Sequence, residues 1–294
     1  MLKRTMPDTP DTLGLKEAAD QLGLHYMTVY RYVRTGRLPA SRDGLVWRVR
    51  ALDVKALQVA QLPPSLRRSG SMVAEQSKEA LEARLLAGDG SGAWWLIEER
   101  LGAGMDPAEV LTGLLSPAIR SIGSRWAEGD LTVADEHRAT AVAQRIIGRL
   151  GFRFGRPGHT RGTVVLTSPA GDLHMLPVAI VADLLRWRGF EVVELGANTP
   201  ADALVNSLGS VDRLVAVGIA STTTGLDEEI IRTVKAVRAR CPDATVLLGG
   251  SAIRSAAHSR QLGADIWTGK EGSTVVEVVE SCADKAPVGW STGE

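Results

Sequence analysis

From residue 161 to 282 the chain alternates at regular spacing between short β-branched runs and longer helical patterns, and few folds accept that alternation. Strands read near 163–168, 191–195, 213–219, 245–248 and 265–267, and helices near 176–188, 201–208, 227–240, 251–262 and 273–282. Parallel neighbours need crossover connections, so the pattern predicts a parallel sheet covered by helices on both faces. Five strands with a candidate site after the first fit the flavodoxin-like (Rossmann-type) order 2-1-3-4-5. In such α/β domains ligands bind outside the carboxyl ends of the strands.

Three features fall at that edge. Asp172-Leu-His174 lies on the loop leaving the first strand, before a helix that reads from about Met175 to Trp187. Ser221-Thr-Thr223 follows the buried run Leu214–Ala220, and Gly249-Gly250 follows Thr245–Leu248. A His on such a loop can coordinate a metal or transfer protons, and a nearby carboxylate can take its other ring N–H and fix the tautomer. The order Asp-x-His, Ser-x-Thr, Gly-Gly resembles the cobalamin-binding domain family. That resemblance implies His174 as the lower cobalt ligand and Asp172 as its partner. It implies Ser221 and Thr223 lining a slot for the cofactor's nucleotide tail, with Gly249 and Gly250 admitting the tail close to the backbone. The family pattern has Gly three residues after the His; here that residue is Pro177, which alters the loop's route into the helix.

The charge is unevenly spread. Residues 1–68 carry 12 Lys and Arg against 6 Asp and Glu, a net +6, and residues 69–294 carry 22 against 28, a net −6. A basic segment joined to an acidic one points to a polyanion partner for the first. Within it, Leu15–Leu22 and His25–Arg34 read as two short helices across a turn at Gly23. Arg42-Asp43-Gly44 then suggests a hairpin turn, and a last helix reads from about Asp53 to Ala60. The segment 14–60 resembles the winged helix-turn-helix of the MerR and excisionase group. That resemblance implies double-stranded DNA as partner, with Tyr26, Thr28, Arg31 and Arg34 on the second helix and Arg42 and Arg48 on the wing. Val29, Tyr30 and Val33 are expected in its core.

Residues 1–12 and the tail after Ala283 read as disordered, and 61–71 as a linker rich in Pro, Ser and basic residues. From Met72 to Leu150 the pattern is helical, with helices near 73–87, 92–102, 107–126 and 132–150. Short connections predict an up-down four-helix bundle. Thr132–Asp135 reads as a capping box, and Pro107 suits a first helical turn after Asp106. The domains are therefore expected at 1–62 (winged helix-turn-helix), 72–152 (bundle) and 160–284 (α/β). Cys241 and Cys282 lack metal-ligand spacing. No signal peptide and no apolar run of membrane-spanning length is evident, so a cytoplasmic protein is expected, with no membrane partner.

Trp126, nine intervening residues, and then Glu136-His137 resemble a motif of the light-sensing CarH group of cobalamin-dependent repressors. The order of basic winged helix, helical cap and Asp-x-His domain is that group's layout. The resemblance implies a homo-oligomeric repressor, dimer or tetramer. Adenosylcobalamin would be held between cap and α/β domain, with Trp126, Glu136 and His137 shaping the pocket for the adenosyl group. Leu195–Pro200 also looks like that branch. Light-sensing members commonly carry a His directly after the motif Trp; here it is Ala127. Two alternatives stay open: a corrinoid protein carrying methyl groups between enzymes, which would not need the basic domain, and a cobalamin-sensing regulator indifferent to light.

Overall fold

The computed structural model describes residues 12–34, 38–44, 46–51, 53–55, 57, 64–154, 160–269 and 272–284. The expectations for 1–11 and for the tail beyond 284, and part of the expected closing helix 53–60, lie outside these residues. The chain divides into two units, Met1–Glu75 and Gln76–Glu294.

In the first unit, β1 (Thr12–Gly14), β3 (Val46–Arg50) and β2 (Ala40–Asp43) form an antiparallel sheet in the order β1-β3-β2. Thr12 therefore sits in a strand, paired with Arg50. The helices Leu15–Leu22 and Tyr26–Arg34 precede the β2–β3 hairpin, and Gly23 ends the first in the left-handed conformation (φ 62°). Leu15, Ala18, Leu22, Val29, Leu38 and Val49 share one small core, with Tyr30 and Val33 packed against it.

The second unit is built on five parallel strands: β4 (Thr163–Pro169), β5 (Glu191–Thr199), β6 (Leu214–Ala220), β7 (Thr245–Gly249) and β8 (Ile266–Trp267). Their order β5-β4-β6-β7-β8 is the 2-1-3-4-5 arrangement expected from the sequence. Strand β4 is buried throughout, and its alternating side chains serve two cores. Val165 joins Val217, Leu204, Ile230 and Val234 on one face, under the helices Ala201–Leu208 and Asp227–Arg240. Val164 and Leu166 join Leu185 and Val279 on the other. That second core continues without a break into Leu85, Ile97, Leu114 and Ile146 of the helical segment, so the helices and the sheet share one interior.

Those helices are Pro64–Leu86, Gly90–Gly102, Pro107–Glu109 with its continuation, and Val133–Gly151. Four sequence expectations are corrected here. Residues 64–71 are not linker but the start of a helix, because proline is pre-organised for a first helical turn and Leu66, Arg67 and Arg68 favour helix despite Gly70. The third helix is interrupted by a π-helical segment, Val110–Leu115, before Ser116–Ala127. Pro117 explains why: it lacks an N–H and crowds the preceding turn. Strand β5 runs four residues past its expected end, and the helix expected at 251–262 is confined to Ala256–Gln261. No helix among the described residues is long and apolar enough to cross a membrane.

Candidate functional site

The site begins with where β4 ends. Pro169 closes the strand, and the chain turns through Gly171 (φ 87°) before the helix Leu176–Trp187. Asp172 lies in that turn, fully buried (0% exposed), next to the ends of β5 and β6. Burying an ionised carboxylate is costly unless it is well hydrogen-bonded. Asp172 Oδ2 accepts the backbone N–H of Thr222 (2.6 Å) and of Thr223 (3.1 Å). Its Oδ1 accepts the His174 backbone N–H (3.1 Å), the Thr223 hydroxyl (3.2 Å) and His174 Nδ1–H (2.8 Å). Burial pushes the Asp172 pKa up, but the His174 imidazole and three backbone N–H groups outweigh it and hold it at about 2.

An ionised Asp172 can only accept, so Nδ1 of His174 carries the proton and Nε2 keeps its lone pair. Among the described residues nothing hydrogen-bonds Nε2, and the His174 side chain is 47% exposed. The bond from Asp172 raises the His174 pKa; burial opposes this, and the charges of Asp172 and Glu136 reinforce it. The result is a basic ring nitrogen presented outward from a fixed ring, which is the donor a transition metal takes. Exposed apolar side chains stand on either side of it in the chain, Leu173 and Met175, and the cap helices expose Trp126 and Val133.

The cap reaches this rim. Gln144 Nε2 donates to Met175 Sδ (3.2 Å), tying the helix Val133–Gly151 to the His174 loop. That helix starts as the sequence implies: Thr132 Oγ1 accepts the Asp135 N–H (3.2 Å), and Asp135 Oδ2 accepts the Thr132 N–H (3.1 Å). In its first turns Glu136 Oε1 accepts the Thr140 hydroxyl (2.7 Å), and Oε2 lies 2.6 Å from His137 Nδ1. Glu136 lines a shallow recess with Ile119, Ile122, Ala139 and Thr140. Glu136 and His174 thus come to one region, while His137 is largely exposed, linked to it through Glu136, and Trp126 stands exposed near the end of its own helix.

Ser221 is buried at the end of β6; its hydroxyl donates to the Thr223 carbonyl (3.3 Å) and its N–H to the Gly249 carbonyl (2.9 Å). The two glycines answer first to the protein itself. A Cβ on Gly249 would lie 2.3 Å from Thr268 Oγ1, and one on Gly250 (φ 101°) would lie 2.2 Å from the Ser221 carbonyl oxygen. Sequence reasoning missed two partners. Thr222 donates through its backbone, which no side-chain pattern reveals, and Asn198 bonds the Asp172 loop from β5. In the amino-terminal unit Tyr26, Arg31, Arg34 and Arg42 are exposed, and Thr28 and Arg48 half-buried. The Arg42 guanidinium lies 5.0 Å over the Trp47 ring.

Comparison with known proteins adds to this geometry. A family profile described as B12 binding domain matches residues 78–150, a second of the same description matches 162–279, and a helix-turn-helix domain profile matches 12–58. The chain is 26% identical over 187 residues to the trimethylamine corrinoid protein 1 of Methanosarcina acetivorans, covering 63% of this chain and 86% of that one. It is 29% identical over 202 residues to the HTH-type transcriptional repressor CarH of Myxococcus xanthus, covering 67% of this chain and 66% of that one. In fold it resembles the monomethylamine corrinoid protein of Methanosarcina barkeri, with a TM-score of 0.60 at 16% identity over 70% of this chain and 99% of that structure. A helix-turn-helix domain, a helical B12-binding cap and a Rossmann-like B12-binding domain therefore follow one another along the chain.

Proposed function

We propose that this protein is a cytoplasmic, light-responsive transcriptional repressor of the CarH type that binds adenosylcobalamin between its helical cap and its α/β domain. One observation carries the reading: a buried, ionised Asp172 fixes His174 so that Nε2 faces outward beneath the cap helix bearing Glu136. The donor fits cobalt, since a neutral imidazole nitrogen backed by a carboxylate is a good transition-metal ligand. The apolar residues Leu173, Met175, Trp126 and Val133 suit a large macrocycle. When bound, adenosylcobalamin supplies the chromophore and a cobalt–carbon bond that light breaks.

The chain's own residues do the rest. His174 holds the lower face, and Ser221 and Thr223 with the Gly249-Gly250 turn border the slot for the nucleotide tail. Trp126, Glu136 and His137 enclose the upper ligand. With no ligand held by these residues, the recess beside Ile119 and Ile122 would stand open and the cap helices would be free to shift on the core they share with the sheet. In a dimer or tetramer, two DNA-binding units on one operator gain avidity because the second contact is intramolecular. A shift that separates subunits abolishes that gain. The Tyr26–Arg34 helix enters the major groove through Tyr26, Thr28, Arg31 and Arg34, and the β2–β3 hairpin serves as the wing with Arg42 and Arg48.

The test is a visible spectrum of the purified protein loaded with adenosylcobalamin, before and after green illumination, with operator retardation measured in parallel. A spectrum that His174→Ala alters, with DNA released on illumination, is expected. Unchanged retardation removes the light response, and an unchanged spectrum removes His174 as ligand. Ala127, at the position after Trp126, favours a second reading, a regulator that senses cobalamin without light. Retention of methylcobalamin in preference to adenosylcobalamin supports it. A methyl carrier is the third reading, and specific DNA binding by the holoprotein decides against it.

A further inference from the structure

The edge strand β5 departs from regular pairing where it passes the His174 loop. Leu166 pairs with Glu194, Thr167 with Gly196 and Pro169 with Thr199, so β5 carries an extra residue at each of two steps. Such bulges bend a strand and re-aim its side chains. Two residues here adopt the left-handed conformation: Gly196 (φ 75°), which takes it without cost, and Asn198 (φ 54°). For other side chains that conformation costs roughly 1–2 kcal/mol, and asparagine is among the few that tolerate it.

Asparagine at 198 does what glycine there does not. Its Oδ1 accepts the Gly171 N–H at 2.8 Å, and its own N–H donates to the Asp172 carbonyl oxygen at 2.8 Å. The two bonds grip consecutive residues of the β4 loop from the sheet edge. On the other side, the Thr222 and Thr223 N–H groups hold the Asp172 carboxylate. The Asp172 side chain is thus fixed from β6 and its backbone from β5, and the imidazole it orients is clamped between them.

We propose that Asn198 is a positioning residue for the Asp172–His174 pair: its left-handed backbone and its amide oxygen together set the loop that aims His174 Nε2 off the rim. This rests on the cobalamin reading of the site. Asn198 touches neither imidazole nor metal, and it acts through the Gly171–Asp172 backbone. Three substitutions divide its roles. Asn198→Asp keeps an acceptor and tolerates the backbone conformation. Asn198→Gly keeps the backbone and drops the acceptor. Asn198→Ala drops the acceptor and strains the backbone.

The test uses full-length protein titrated with hydroxocobalamin, reading the Kd and the visible band that distinguishes imidazole-bound from unligated cobalt, with Tm measured on each variant. Groups that orient a ligating His typically contribute about ten- to a hundredfold to metal affinity. Asn198→Ala is accordingly expected to weaken binding about tenfold and to move the band towards that of His174→Ala. Asn198→Gly should fall between, and Asn198→Asp should stay near wild type. If wild type and His174→Ala give the same band, the ligand assignment fails and the role of Asn198 fails with it. If those two differ but Asn198→Gly and Asn198→Ala keep the wild-type band and Kd, only the role of Asn198 is overturned. A lowered Tm with unaltered band and Kd overturns it equally, because that marks a residue that supports the fold without aiming the ligand.

Discussion

Asp172 Oδ1 lies 2.8 Å from His174 Nδ1, and the two ends of that bond live in opposite surroundings: the carboxylate is sealed from solvent and the imidazole is half exposed. The sealed end is the anchor, holding its charge through N–H donors on two loops. The exposed end is the tool, with its second nitrogen turned outward. Four expectations extend from this pair to the elements around it.

The anchor should be visible in the pH dependence of stability. The Asp172 pKa falls from 3.8 to about 2 on folding. A depressed folded value means the stabilisation is present above the unfolded pKa and is lost as pH falls through the folded one. At 1.36 kcal/mol per unit, the contribution is on the order of 2 kcal/mol above pH 4, fading between pH 4 and 2. Asp172→Asn should lower the urea-unfolding free energy at pH 7 by at least that amount, because its NH2 group would meet backbone N–H donors. It should also flatten the acid limb. An unchanged acid limb would mean that Asp172 is not the titrating anchor.

Gly250 and Gly225 both have positive φ, 101° and 83°, but only Gly250 is hemmed in, by the Ser221 backbone. Gly225→Ala should cost about 1–2 kcal/mol for the backbone alone. Gly250→Ala adds a clash that side-chain rotation cannot relieve, so a loss above about 4 kcal/mol is expected. Paired thermal melts compare them, and equal losses would refute the close approach.

Glu136 lines the cap recess and is held by Thr140, so it should matter most to whatever occupies the upper face. Removing one hydrogen bond to a charged acceptor is worth about 1.5–3 kcal/mol. Glu136→Ala should therefore weaken adenosylcobalamin binding by roughly tenfold or more while changing hydroxocobalamin binding much less. Absorbance titrations with both corrinoids read the ratio, and equal losses would place Glu136 outside the upper-ligand pocket.

On the Tyr26–Arg34 helix, Arg31 and Arg34 are exposed. If each meets a phosphate, replacing either with Ala should reduce the slope of log K against log salt by about 0.9. Operator retardation across a salt series measures it. A slope that neither substitution moves would place both side chains away from the DNA backbone.

Much of this molecule was written in local patterns. The alternation from residue 161 to 282 pointed to a parallel sheet, because crossovers need helices and helices need a face to cover, and a candidate site after the first strand fitted the order that the sheet adopts. Asp172 and His174 could be paired from sequence since only Leu173 separates them. The Thr132–Asp135 cap was equally legible, being made by residues three apart. What local spacing could not determine were the partners supplied by the backbone and by distant strands. The Thr222 and Thr223 N–H groups reach Asp172 from fifty residues away, and Asn198 reaches Gly171 only because bulges bend β5 across the loop. A backbone N–H leaves no mark in the sequence, and a bulge is settled by how two strands pair. The sequence by itself determined which residue types stand at the rim. Only the tertiary structure decided which donors hold Asp172, because those contacts exist only once β4, β5 and β6 lie side by side.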